Sequence, residues 1–238
     1  MLLCPISRRD LLSFLPRGGE VGEIGVAKGE FSQEILASVQ PRCLHLIDPW
    51  EHQDVADYAN DNNNVPDAEQ ESRFESVSKR FHDEIKGGTV RLYRDYSEDA
   101  AIFFADGQFD WVYIDGMHTA EAAYRDIGLY RHKVRADGFI VGHDYTNHQQ
   151  ARAWNFGVVE AVNRSVIEFG FEFVALTMEA FPTYVLAKNP AAPAVQKLQQ
   201  DLIANVPFVV EIRDFPQQHR FEHKTVWCGD RLLPYASF

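Results

Sequence analysis

The apolar residues of this chain come in short blocks, separated by glycine or polar punctuation at the spacing of alternating strands and helices. Val21-Gly22-Glu23-Ile24 reads as a buried strand that stops at a glycine turn, Gly25 to Gly29, and a helical pattern opens at Ser32. Cys43-Leu44-His45-Leu46-Ile47 is an apolar run ending on Asp48, as a second parallel strand should. A helix is predicted over 74–85 with Gly87-Gly88 as its stop, then a strand over 89–93 and a helix over 97–105. Phe109 to Ile114 is again a buried strand and delivers Asp115 to its carboxyl end. A helix over 120–130 and a strand over 139–145 follow, the strand carrying His143 and Asp144 at its polar end. The last part of the pattern is a helix over 153–169 and two strands, 171–176 and 184–187, joined by a turn containing Pro182. Trp154, Val158, Ala161, Val162 and Ile167 are expected on the buried side of that helix.

Three stretches fall outside this alternation. Residues 6–15 predict a short helix with Ser7 as N-cap and Pro16-Arg17-Gly18-Gly19 as its stop, which either covers a bound ligand or packs on the sheet. The tract 53–71, with its asparagine run at 60–64, lacks apolar periodicity and reads as a long exposed loop, either a substrate lid or a solvated insertion. Beyond residue 188 a helix over 194–204 and a strand over 207–212 are expected. The remainder, with His219, His223, Trp227 and Tyr235, carries no motif and reads as a dimer contact, a pocket wall or a solvated tail. The organisation is therefore an N-terminal cap over 1–19, a central domain over 20–188 and a C-terminal extension over 189–238.

Strands alternating with helices predict an open, mostly parallel α/β sheet, whose ligand crevice lies outside the carboxyl ends of the strands. Gly25 and Gly29 sit where a side chain would hold the backbone away from a ligand. Asp48 follows Gly25 at about the spacing at which nucleotide folds place a carboxylate on the ribose hydroxyls, although a helix cap would use the same residue. Trp50 beside it is placed to pack on a nucleoside or simply to fill the core. Two adjacent strands bring Asp115, His118, His143 and Asp144 to one rim. Each alone has an ordinary structural reading; together they make a candidate acid–base or metal site.

Composition narrows the partners. At 238 residues the chain can bury one substantial core. Its formal charge of −12, with no Lys/Arg run, argues against nucleic acid and against an anionic membrane surface. Cys4, Cys43 and Cys228 match no zinc spacing and fit a reducing compartment. No secretory signal or membrane-spanning run is read, and a cytoplasmic location is expected.

The acid, glycine and second glycine of Glu23-x-Gly25-x-x-x-Gly29, followed by the blocks in this order, resemble a class I S-adenosylmethionine-dependent methyltransferase. The resemblance covers roughly residues 18–188. It implies a Rossmann-like methyltransferase fold: a mostly parallel seven-stranded sheet with an antiparallel last strand and helices on both faces. It further implies that Glu23 orients the methionine part of the donor, that Gly25 and Gly29 approach it, and that Asp95 and Tyr96 lie against the adenine. The segments around Asp115 and Asp144 are similar to the macrocin and aminocoumarin sugar O-methyltransferase subgroup, in which acids after two adjacent strands hold magnesium. Asp115 and Asp144 match two of those acids, while His143 stands where the subgroup more often has a third. A set of Asp115, His143 and Asp144 would suit a transition metal at least as well as Mg2+.

The expected activity is transfer of a methyl group from S-adenosyl-L-methionine to a small molecule, at oxygen, with His118, Asp115 and His143 as the catalytic groups and a divalent metal as an optional aid. A homodimer is compatible with the extension. Three other classes share the pattern: a nicotinamide dehydrogenase, which would want the tighter G-x-G-x-x-G turn; a metal-dependent hydroxylase or oxygenase on the same scaffold; and a nucleotide-binding protein without catalysis.

Overall fold

The strands of the main sheet are β1 (Leu2–Cys4), β2 (Glu20–Ile24), β3 (Cys43–Ile47), β4 (Val90–Tyr93), β5 (Phe109–Ile114), β6 (Val134–Gly142), β7 (Glu172–Thr177), β8 (Tyr184–Ala187) and β9 (Val210–Glu211). In the computed structural model, which describes residues 1–59, 61 and 63–238, they are ordered β4-β3-β2-β5-β6-β8-β7-β1-β9. Only β8 and β9 run against the rest among the described strands. Among the described residues nine α-helices join or flank them: α1 (Arg8–Leu11), α2 (Glu30–Val39), α3 (Asp67–Arg80), α4 (His82–Gly87), α5 (Ser97–Ala100), α6 (Ala120–Lys133), α7 (Gln149–Ala153), α8 (Val158–Phe169) and α9 (Pro193–Asn205). A separate hairpin, β10 (Glu222–Cys228) and β11 (Arg231–Ser237), follows β9.

The fold is the α/β, Rossmann-like methyltransferase fold that the resemblance implied, with β1 and β9 extending the seven strands on the β7 side. The central strands are buried on both faces, so their apolar residues divide by the two-residue period. Val21, Leu44, Leu46, Trp111 and Tyr113 enter one core with α2; Ile24, Ile47, Val112, Ile114 and Ile140 enter the other with α6 and α8. The chain leaves β2 toward β3 and β4 on one side, while β5 and β6 lie on the other. That reversal places the crevice above β2 and β5.

Several expectations change. The helix expected over 74–85 begins at Asp67, so the last five residues of the polar tract are helical: Gln70 turns inward there, as Arg73 and Val77 do beyond the tract. It then breaks at Phe81 into α4. The helix expected over 97–105 is one α turn, Ser97–Ala100, followed by a 3-10 turn. The helix expected over 153–169 divides into α7 and α8 around 154–157, and Ile167 is exposed. The N-terminal cap is also part of the sheet, since Leu2–Cys4 pairs parallel with β7. Ser7 does cap α1, in a capping box with Asp10. Of the strand expected over 207–212, only Val210–Glu211 pairs.

Candidate functional site

At the end of β2 the backbone of Gly25 turns through φ +86°, and a Cβ there would stand 2.1 Å from the carbonyl oxygen of Asp115. Glycine is required because β2 and β5 approach this closely; Asp115 N–H in turn donates to Ile24 C=O at 2.8 Å. Above that junction lies a crevice of about 750 Å³, walled by Gly25, Asp48, Glu51, Tyr58, Asp95, Tyr96, Asp115 and Asp126, among others.

The expected donor-binding residues separate here. Gly25, Asp95, Tyr96 and Asp115 line the crevice. Asp48 lines it too, but its carboxylate holds the turn: Oδ2 accepts from the N–H groups of Val26 and Ala27, and Oδ1 from Trp50 N–H, at 2.8–2.9 Å. Burial keeps its pKa above the usual carboxylate range in spite of these bonds. Trp50, expected on the nucleoside, is instead under the turn. It is 1% exposed, packs on Phe74 and donates from Nε1 to Ala27 C=O. Its φ of +43° turns the side chain that way. Gly29 does not reach the wall either; it caps α2 at φ +69°, where a Cβ would touch Phe81. Glu23 is 2% exposed and off the wall, with Oε2 lacking a hydrogen-bond partner, and burial pushes its carboxyl up to about 8. A donor role for Glu23 would have to act through the turn above it.

One crevice acid escaped the sequence reading. Asp126 lies on the buried stripe of α6 with Ala122, Ala123, Ile127 and Tyr130, and Ser97 Oγ donates to it at 2.5 Å. Burial raises its pKa to about 6. An acid at the helical spacing of apolar neighbours is a signal that the sequence does contain.

A second cleft opens on the other side of Asp115, lined by Arg8, Asp61, His118, His143, Asp144, Trp154, Phe156 and Phe181. The rim residues expected from β5 and β6 are together here. Donor atoms of Asp115, His118 and Asp144 lie within 4.8 Å of one another. His118 Nε2 is 2.8 Å from Asp144 Oδ2, and His143 Nδ1 is 3.3 Å from the same oxygen and 3.7 Å from Asp115 Oδ1. The converging set thus uses His118 where His143 was expected, and His143 flanks it. Asp144 adopts φ +59°, a conformation that Asp tolerates better than most residues.

The surroundings of the cluster orient it. Asp61, from the polar tract, accepts from His118 Nδ1 at 3.1 Å and leaves Nε2 to the cluster. A carboxylate behind a ring nitrogen is the usual arrangement for a metal-binding imidazole. Arg8 donates to Tyr113 Oη and to Asp115 Oδ2, both at 3.1 Å, so Asp115 turns its other oxygen to the histidines. Burial alone would raise both carboxylates, but the imidazoles outweigh it and hold Asp115 and Asp144 below their usual range. Burial likewise opposes charge on the rings, yet the carboxylates raise His118 well above its usual value and His143 to about 9.

The polar tract is tied to both clefts. Gln70 Nε2 and Arg73 Nη1 donate to Asn63 C=O, which anchors Asn63 on α3. Asn60 and Asn62 of the expected lid lie outside the described residues. The N-terminal helix reaches the second cleft through Arg8 rather than the first. No described helix is long and apolar enough to cross a membrane.

A family profile described as "Methyltransferase domain" matches residues 23–145. No curated protein sequence matches the chain. Solved structures with the same fold include an O-methyltransferase family protein from Burkholderia thailandensis, with 15% identity, a TM-score of 0.52, and 76% of this chain and 55% of that one covered. Spermidine synthase from Thermotoga maritima matches at 12% identity and a TM-score of 0.51, over 84% and 63%. Aeropyrum pernix fibrillarin, with natively bound S-adenosyl-L-methionine, matches at 11% and 0.51, over 72% and 67%. The chain therefore spans little more than half the length of the first of these and under two thirds of the second.

Proposed function

Because this chain belongs to the methyltransferase-domain family, we propose that it transfers the sulfonium methyl group of S-adenosylmethionine to a hydroxyl oxygen of a small molecule. The observation that carries the reading is that Asp115 is shared by two clefts, one at the topological switch point and one over the His/Asp cluster. In-line displacement needs donor and acceptor on opposite sides of the migrating carbon, and two clefts that share Asp115 and Asn63 would supply that alignment. The donor fits the first cleft, where Gly25 keeps side chains off the floor and Tyr96, Asp95 and Asp126 offer an aromatic face and hydrogen-bond acceptors.

The acceptor hydroxyl would sit at the cluster. Its oxygen attacks the methyl carbon, the carbon–sulfur bond breaks with its electron pair passing to sulfur, and the hydroxyl proton leaves for the site. Asp115, His118 and Asp144 would hold a divalent cation, and their mixed oxygen and nitrogen donors suit manganese, iron, zinc or nickel as well as magnesium. Such a cation would supply positive charge that lowers the hydroxyl's pKa. His143, beside the three donors, is the proton acceptor in this reading. A cation held by Asp115 and Asp144 would neutralise the carboxylates that raise the His143 pKa and so would free its ring to accept a proton.

Calorimetric titration with S-adenosylhomocysteine tests the donor half: micromolar binding is expected, and no binding would overturn it. Asp115→Asn is expected to retain product binding within about threefold and to lose at least about a hundredfold in transfer, the size of effect seen when an electrostatic group at a reacting centre is removed.

A further inference from the structure

We propose that the acceptor is a planar aromatic compound carrying a ring hydroxyl, held with its face on Trp154, Phe156 and Phe181 and its hydroxyl edge on the His/Asp cluster; this rests on the methyl-transfer reading above. The three rings come from two separate loops, 154–157 between α7 and α8 and 178–183 between β7 and β8. All three are half-buried and line the second cleft. Their centroids stand 5.8 Å apart for Trp154 and Phe156 and 6.3 Å for each of the other two pairs. Those separations are direct ring contacts, so the three side chains make one continuous apolar patch and not a box around a central space. A box is what a quaternary ammonium needs; a patch suits the face of a flat ring.

The patch runs straight into the cluster. Phe156 lies 4.4 Å from the His118 ring and Phe181 6.4 Å from the His143 ring, centroid to centroid. A ligand covering the patch thus meets polar atoms at one edge only. The polar groups of this cleft are already engaged with one another, Arg8 with Asp115 and Asp61 with His118. Outside the His/Asp cluster, the Asn63 side chain and the Trp154 indole N–H are the polar groups of the described lining that make no hydrogen bond, which leaves two at most for a ligand. A sugar, with hydroxyls on every side, would bury groups that find no partner, and each such loss is unfavourable. A phenol presents one hydroxyl and one apolar face. Its pKa near 10 also asks less of the site than an aliphatic hydroxyl would.

The test is calorimetry on the full chain saturated with S-adenosylhomocysteine, with no metal added, using 2-naphthol, methyl β-glucopyranoside and tetramethylammonium as probes. Saturable 2-naphthol binding is expected, weakened at least tenfold in Trp154→Ala and in Phe181→Ala, with the other two probes not binding. Both variants should bind S-adenosylhomocysteine as the wild type does, which shows that they are folded. Absence of 2-naphthol binding, tighter binding of the glucoside or of tetramethylammonium, or unaltered 2-naphthol binding in both variants would overturn the assignment. Failure to bind S-adenosylhomocysteine would instead strike the methyl-transfer reading, so the two failures are distinguishable.

Discussion

Replacing Asp48 is expected to damage the fold before it damages ligand binding. Its two oxygens accept three backbone N–H groups, from Val26, Ala27 and Trp50, and so tie the turn after β2 to the residues after β3. In Asp48→Ala all three donors lose their acceptor. A buried donor left without one costs about 1–3 kcal/mol, but this turn borders a crevice that water enters, so the lower half of that range applies. Three donors then give about 3–6 kcal/mol. For a chain of this size that corresponds to a fall in Tm of about 6–24 °C, at about 2–4 °C per kcal/mol. Asp48→Asn keeps one acceptor oxygen and turns an NH2 toward the other donors, so its loss should be smaller but of the same sign. Both are measured by thermal and urea unfolding without ligand. If Asp48→Ala unfolds like the wild type and loses only affinity for S-adenosylhomocysteine, the carboxylate serves a ligand, as its spacing first suggested, and the structural argument fails.

Other consequences follow from the same geometry. Glu23 binds its proton more tightly in the folded chain, where burial lifts its pKa to about 8, than in the unfolded chain, where it is near 4.5. The unfolded state therefore holds fewer protons between those values, and stability falls as pH rises from about 4.5 to about 8, by up to about 5 kcal/mol. Glu23→Gln should flatten that slope in urea unfolding from pH 5 to 9; an unchanged slope would show that other groups cause it. Gly25→Ala forces a Cβ against the Asp115 carbonyl in a left-handed backbone and should cost about 3 kcal/mol or more; wild-type stability would mean that β2 and β5 separate readily. Mn2+ titration is expected to show one site, lost in His118→Ala and weakened in Asp61→Asn, because Asp61 fixes the ring from behind. A site unaffected by His118→Ala would place the ion elsewhere.

Much of this architecture is written in the order of the blocks. Short apolar runs ending in Gly25, Asp48, Asp115 and His143-Asp144 can only bury themselves as parallel strands with helices between them, and parallel strands present their carboxyl ends at one rim. The period of two and the glycine turn sufficed to bring Asp115, His118, His143 and Asp144 together. What they could not determine is where each side chain points once the chain leaves a strand. Trp50 and Asp144 both follow strands and both take positive φ, yet one turns into the core and the other into the cleft. Local sequence does not distinguish the two, because the packing of Phe74 in one case and His118 in the other decides it.

Partners distant in sequence were beyond reach for a related reason. Arg8 meets Asp115 only because Leu2–Cys4 pairs with β7, and Asp61 meets His118 only because α3 anchors Asn63. The hairpin β10–β11 stands on its own ladder, with Thr146 Oγ1 hydrogen-bonded to His223 Nδ1, and neither strand alone has the apolar alternation that would announce it. The central strands, their order along the chain and the rim that carries the acids and imidazoles were legible in the residues, since periodicity and glycine act over a few positions, whereas the pairing of Leu2–Cys4 with β7 was not. Tertiary structure alone decided which of them face the crevice, which hold up its floor, and that three aromatic rings from two loops close the cleft beside them, since those outcomes depend on contacts between segments that periodicity does not encode.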